Sequence, residues 1–278
     1  MTEESRIIKR NLKTLIKRFS KSDVVTNIEK NYSKDKIKIV NTRDIVENPS
    51  LKKVKIDPLQ IEETCKSIQE SGIFSPLIVR IVKDKFEVVL GFKKYVCCKN
   101  LNKETIPCIV TTMDEEEAYL LMLADEREHK NCNIYKEAII CQNLCKKYGY
   151  KKKDLAELLK QSISQVSNIV KLLNLPQSIL DDLSLGKISY GHARTISRLP
   201  QEESLKIYEL IKQNKMSVRD TERYVHDYEN LDDEAKYIAN PHYISQNNQI
   251  ILRFDSIEEY KKADKRIQKL IKKKKIVL

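Results

Sequence analysis

Residues 151–176 read KKKDLAELLKQSISQVSNIVKLLNLP, and their spacing is that of a helix-turn-helix. Leu155, Ala156 and Leu159 recur on one face of a first helix, and Val166, Ile169 and Leu173 on one face of a second. Ala156 and Val166 stand where two such helices cross, and a small residue there lets them approach. Ser162 followed three residues later by Gln165 is a capping box, so Ser162 opens the second helix. Lys160 occupies the turn-side position where glycine is common, which predicts a slightly different turn. The outer face of the second helix carries Ser164, Ser167, Asn168 and Lys171, with the lysine triplet Lys151–Lys153 in front. Base edges in the major groove present donors and acceptors, so a polar face suits them. An ordinary antiparallel helix pair shares the apolar spacing and needs no such face. The second helix holds no arginine, so the bidentate guanine contact is absent and Gln165 and Asn168 are candidates for adenine.

The whole chain agrees with a polyanionic partner. It has 278 residues and a formal net charge of +12. Clustered cations gain affinity for nucleic acid by releasing condensed counterions, although a lysine-rich surface can also be merely well solvated. At roughly 100–200 residues per domain the length suggests two or three domains. No apolar run approaches the ~20 residues that span a bilayer, and no signal peptide opens the chain. Seven cysteines, an odd number, do not suggest a secreted disulfide framework. The expectation is a cytoplasmic protein with reduced thiols.

Only five glycines occur: Gly72, Gly91, Gly149, Gly186 and Gly191, each at a plausible break. The chain between them is expected to be mostly helical. Residues 6–21 carry seven cations and no acid, with Ile8, Leu12, Leu15, Ile16 and Phe19 on one stripe. Residues 20–35 read as a linker. From Ile37 a mixed pattern begins, with strands at 37–40, 76–82, 86–90 and 106–111 and helices at 57–71, 92–100 and 114–127. Helices follow at 134–148, 151–160, 163–174, 177–185, 189–198, 201–214 and 217–229. Residues 227–247 are acidic and irregular. A single strand, 249–254, and a helix from Ser256 into Lys272–Lys275 close the chain. The fold class is α+β: an N-terminal α/β domain at 36–130, an all-helical helix-turn-helix domain at 131–230 and a strand-helix segment at 245–278, preceded by the basic arm 1–35.

Further segments resemble the ParB-type chromosome and plasmid partition proteins, a group that includes nucleoid-occlusion factors. Residues 47–80, ENPSLKKVKIDPLQIEETCKSIQESGIFSPLIVR, resemble the family's opening box. Residues 86–97 resemble the strand leading into its Gly-Glu-Arg-Arg motif. Gly191-His192-Ala193-Arg194 matches its Gly-His-Ala-Arg box, and Val218-Arg219 with Glu222 its Val-Arg-x-x-Glu box. Glycine at 191 leans toward the partition branch. The resemblance covers about 80% of the chain, nearly ungapped.

The resemblance implies a dimer that recognises a palindrome in double-stranded DNA, binds CTP with Mg in the N-terminal domain and closes into a sliding clamp. The tail would be the dimerisation segment. Base contacts fall on Ser162, Ser164, Gln165 and Asn168, and phosphate contacts on Lys151, Lys152, Lys153, Lys171, Arg194 and Arg219. The nucleotide would meet Gly91, Lys93, Lys94 and His129. Here the motif reads Gly91-Phe92-Lys93-Lys94, losing the glutamate and replacing both arginines, and Glu126 stands where the family has asparagine. Lysine keeps the charge but not the planar fork, and Glu126 is expected to repel phosphates. At most a slow CTPase is expected.

The basic N-terminal helix has three readings: a segment that engages a ParA-type ATPase, a helix lying on a membrane surface, or one packed on the body. Cys141 and Cys145 are spaced for one helix face, but His129 is the only histidine in their region, and no metal is expected. No Walker loop, Ser-His-Asp set or paired-carboxylate signature is present. Rival readings are a nucleotide-using enzyme on the same N-terminal fold, a nucleoid-occlusion factor and a nucleotide-independent transcriptional regulator.

Overall fold

The computed structural model describes residues 37–128, 133–229, 243–246, 249–252 and 257–272. The basic helix at 6–21, the linker, His129 and Lys273–Lys275 lie outside the described residues. The chain divides into two compact units, Met1–Arg194 and Thr195–Leu278.

The first unit contains a five-stranded mixed sheet in the order β1-β5-β3-β4-β2. Its strands are β1 (Ile37–Asn41), β2 (Ile45–Val46), β3 (Leu77–Val82), β4 (Lys85–Leu90) and β5 (Thr105–Thr111). β3 pairs antiparallel with β4 and parallel with β5. The strand period of two divides the core. Leu77, Val79, Val88, Ile106 and Cys108 join one buried cluster, while Ile78, Val89 and Ile109 join another. A sheet apolar on both faces must be covered on both.

One cover is α1 (Pro58–Ser71) with α2 (Phe92–Asn100). Ile68 is buried, with Ile61 and Cys65 half-buried beside it. Asp57 caps α1 by accepting from Leu59 N at 3.0 Å. Inside the sheet, Glu87 accepts from Arg80 Nε at 2.8 Å and from Asn48 Nδ2 at 3.1 Å, so this buried carboxylate is paired and hydrogen-bonded.

The other cover is α3 (Glu115–Glu128). From Ala118 to Ala124 every side chain is buried, because α3 is enclosed on all sides. It packs β4 and also α4 (Ile134–Tyr148) and α5 (Lys152–Leu159). The cluster around α3 therefore runs from Ile78 of the sheet to Val166 of α6 (Ile163–Lys171) without a break. The unit continues through α7 (Gln177–Ser184) into α8 (Tyr190–Ile196). Gly191 is not at a break; it is the second residue of α8.

The second unit holds α9 (Gln201–Asn214) and α10 (Val218–Glu229). Its tail corrects the single-strand expectation. β6 (Tyr243–Gln246) pairs antiparallel with β7 (Gln249–Leu252), a hairpin followed by α11 (Ile257–Lys272). β6 reads Tyr-Ile-Ser-Gln, two apolar residues and then two polar ones, so no alternation announces a strand there.

Candidate nucleic-acid interface

Asn133 anchors the helical layer. Its side-chain oxygen caps α4 by accepting from Tyr135 N and Lys136 N, and its Nδ2 donates to Ser184 Oγ at 2.8 Å. Ser184 Oγ in turn donates to Lys55 O at 2.6 Å. On this base α5 and α6 cross as their spacing requires, with Ala156 and Val166 both buried.

The turn between them departs from expectation. Lys160 adopts φ 54 and ψ 40, the left-handed conformation that a glycine would supply, so the turn is kept and not altered. A non-glycine residue there costs about 1–2 kcal/mol, offset by the bond from Gln161 N to Ala156 O at 3.0 Å. The capping box forms as read: Gln165 N donates to Ser162 Oγ at 3.1 Å and Ser162 N to Gln165 Oε1 at 2.8 Å. The inner face needs one correction. α6 ends at Lys171 and a 3-10 turn covers Leu172–Asn174, so Leu172 is buried and Leu173 only half-buried. The tighter turn rotates the side chains forward.

Ser162, Ser164 and Gln165 are exposed, and Asn168 is half-buried on the same outer face. Lys151, Lys152, Lys153 and Lys171 are exposed around it. Lys152 Nζ donates to Ser167 Oγ at 2.9 Å, bringing one cation of the triplet onto α6 itself. Arg194 is half-buried on α8, where its charge acts on Tyr190. Arg219 belongs to the second unit, exposed on α10, and lines a shallow open cleft with Glu222, Arg223, His226 and Asp227. Two features escaped the sequence reading. Ile163 is 52% exposed in the first turn of α6, an apolar residue on a polar face. Beneath the turn, the buried Glu137 meets Gln161.

The α2 end presents a second arrangement. Gly91 takes φ 90 and ψ 24 at the α2 N-terminus, and no side chain caps that end. A Cβ there would lie 3.2 Å from Leu77 Cγ, so both the conformation and the space call for glycine. Lys93 Nζ donates to Gln60 Oε1 at 2.6 Å, and Lys94 Nζ donates to Ser75 O at 3.1 Å. Glu126, expected to repel phosphates, is paired instead of free: its Oε1 meets Lys136 and its Oε2 accepts from Asn133 N at 3.0 Å. Among the described residues no three His, Cys, Asp or Glu side chains gather to hold a metal ion, and Cys141 is buried with its thiol pushed up by burial. Among the described residues, too, no helix is long and apolar enough to cross a membrane.

Two family models match this layout in register. The ParB N-terminal domain matches residues 26–126, and the ParB HTH domain matches residues 130–230. The chain belongs to the ParB family. Similar relatives are two proteins each called probable chromosome-partitioning protein ParB. The one from Campylobacter jejuni is 28% identical over 94% of this chain and 98% of its own length. The one from Borreliella burgdorferi is 32% identical over 61% of this chain and 66% of its own length. Among solved structures, C-terminally truncated ParB from Caulobacter crescentus complexed to the centromeric parS site is 21% identical, over 68% of this chain and 99% of that one, with a TM-score of 0.42. In this ParB-family chain the helix-turn-helix and the α2 end thus lie in separately matched domains, joined through the core around α3.

Proposed function

We propose that this ParB-family chain binds a palindromic site in double-stranded DNA as a homodimer and acts in chromosome or plasmid segregation. One observation carries the reading: the exposed polar face of a capped α6 with Lys152 bonded onto it. Ser162, Ser164, Gln165 and Asn168 read base edges, and Lys151–Lys153, Lys171, Arg194 and Arg219 hold phosphates. Residues 36–130, 131–230 and 245–278 serve as nucleotide, DNA and dimerisation parts. Chromatin immunoprecipitation of the tagged chain in its host tests this. A few discrete palindromic peaks are the expected result, and a uniform profile overturns it.

The α2 end fits a triphosphate. Uncapped N–H groups at a helix N-terminus attract anions, Gly91 lets the backbone approach closely, and Lys93 and Lys94 supply charge. CTP with Mg would be held there, its phosphates giving the domain a ligand whose presence differs between free and DNA-bound chains. Lysine for arginine weakens such a site more than it abolishes it, so turnover is slow at most. The basic N-terminal segment 6–21 engages a ParA-type ATPase, with a membrane surface as the competing partner.

A further inference from the structure

α1 and α2 lie along a shared seam, and the seam is lined by polar and sulfur contacts in sequence. At its open end Lys93 bonds Gln60 at 2.6 Å. One turn further along α2, Cys97 Sγ donates to the carbonyl of Ile61 at 3.3 Å. Ile61 is one turn before Cys65, and side chains on a helix lean over the turn that precedes them. The Ile61 carbonyl that accepts from Cys97 is also the helical partner of the Cys65 backbone N–H, so Cys65 lies beside Cys97 across the seam, in the same apolar cluster. Cys65 is half-buried and within reach of solvent, whereas Cys97 is fully buried.

We propose that Cys65 and Cys97 form a redox-responsive pair, which a peroxide converts to a disulfide that staples α1 to α2. The Cys65 thiolate attacks a peroxide oxygen, the O–O bond breaks, and water leaves with the thiol's proton. The Cys65 sulfenic acid is then attacked by the sulfur of Cys97, which gives up its proton, and the displaced hydroxide leaves as a second water. Two thiols lose two electrons in total and the peroxide gains them. Burial, and then contact with Cys65, push the Cys97 thiol up to about 12. Cys97 thus stays protonated and inert until its neighbour has been oxidised. The staple lies one turn below Lys93, so oxidation fixes the helix whose N-terminus carries Gly91. The chemistry itself does not depend on any nucleotide being bound.

The test uses the folded full chain carrying Cys98→Ala, which makes the peptide assignment unique. It is exposed to hydrogen peroxide, alkylated with N-ethylmaleimide and digested for mass spectrometry. The expected product links Cys65 to Cys97, removes two titratable thiols per chain and reverts with dithiothreitol. Adding Cys65→Ser or Cys97→Ala abolishes it, while Cys145→Ser leaves it in place. Sulfinic or sulfonic acid at Cys65 with Cys97 still alkylated overturns the proposal. So does a linked peptide that forms only after the chain is first unfolded in urea.

Discussion

Glu137 and Gln161 face each other at 3.5 Å beneath the helix-turn-helix turn, a carboxyl 2% exposed against an amide whose oxygen has no hydrogen-bond partner among the described residues. Burial, and then the charge of Glu126, push the Glu137 carboxyl up to about 7, against the opposing bond from Gln161. Unfolded, the group ionises near its ordinary value of 4.5. Between those values the native chain holds a proton that the unfolded chain releases. The resulting stability is fully present below about 4.5 and is lost as pH rises through about 7. Glu137→Gln removes this dependence. Relative to wild type, the variant should gain on the order of 3 kcal/mol between pH 4 and pH 8.5. Urea unfolding of both proteins at the two pH values measures it, and a constant difference contradicts it.

DNA reading by α6 separates into two variants. Asn168→Ala should lose about 1–3 kcal/mol on the cognate site and little on random duplex. Lys152→Ala should weaken both and reduce the salt slope by about one. Fluorescence anisotropy over a salt series distinguishes them. Equal losses on both duplexes for Asn168→Ala remove it from base reading.

Ile163 offers a methyl-rich surface where its neighbours offer hydroxyls, and the apolar feature of a major groove is the thymine methyl. Ile163→Ala should cost about 1 kcal/mol on the cognate site. Replacing the contacted thymine by deoxyuridine should weaken wild type by a similar amount and leave the variant unchanged. Additive losses in variant and modified duplex show that the two groups do not meet.

At Gly91, an added methyl meets both a φ of 90° and Leu77 Cγ at 3.2 Å. Gly91→Ala should destabilise the chain by about 1–3 kcal/mol, read from the denaturant midpoint. Calorimetry on wild type should find weak CTP binding alone, stronger binding with the palindrome, and slow or undetectable hydrolysis. Tight binding without DNA would mean that Lys93 and Lys94 replace arginines fully.

Among the described residues β6 and β7 pair with each other alone, one edge of each strand, and pairing of the outer edges with a second copy is the expected route to a dimer. Deleting residues 245–278 should give monomers in sedimentation velocity and sharply weaker operator binding. A truncated chain that still sediments as a dimer places the interface elsewhere.

What the sequence determined by itself was local. The helices at 134–148 and 201–214 begin and end where their periodicity placed them, the first stopping at the Gly149 break, because caps and turns are decided within a few residues. The Ser162–Gln165 box is equally local. Tertiary structure decided the rest. Leu172 replaced Leu173 in the core because the chain tightens into a 3-10 turn before Pro176. β6 became a strand only by pairing with β7. Glu126 turned from a phosphate-repelling charge into the partner of Lys136, ten residues along the chain and one helix away. Glu137 and Gln161, and likewise Cys65 and Cys97, are unremarkable in sequence and become neighbours only when packing brings distant segments together. Burial and the approach of distant charges depend on packing, and no spacing of residue types encodes them in advance.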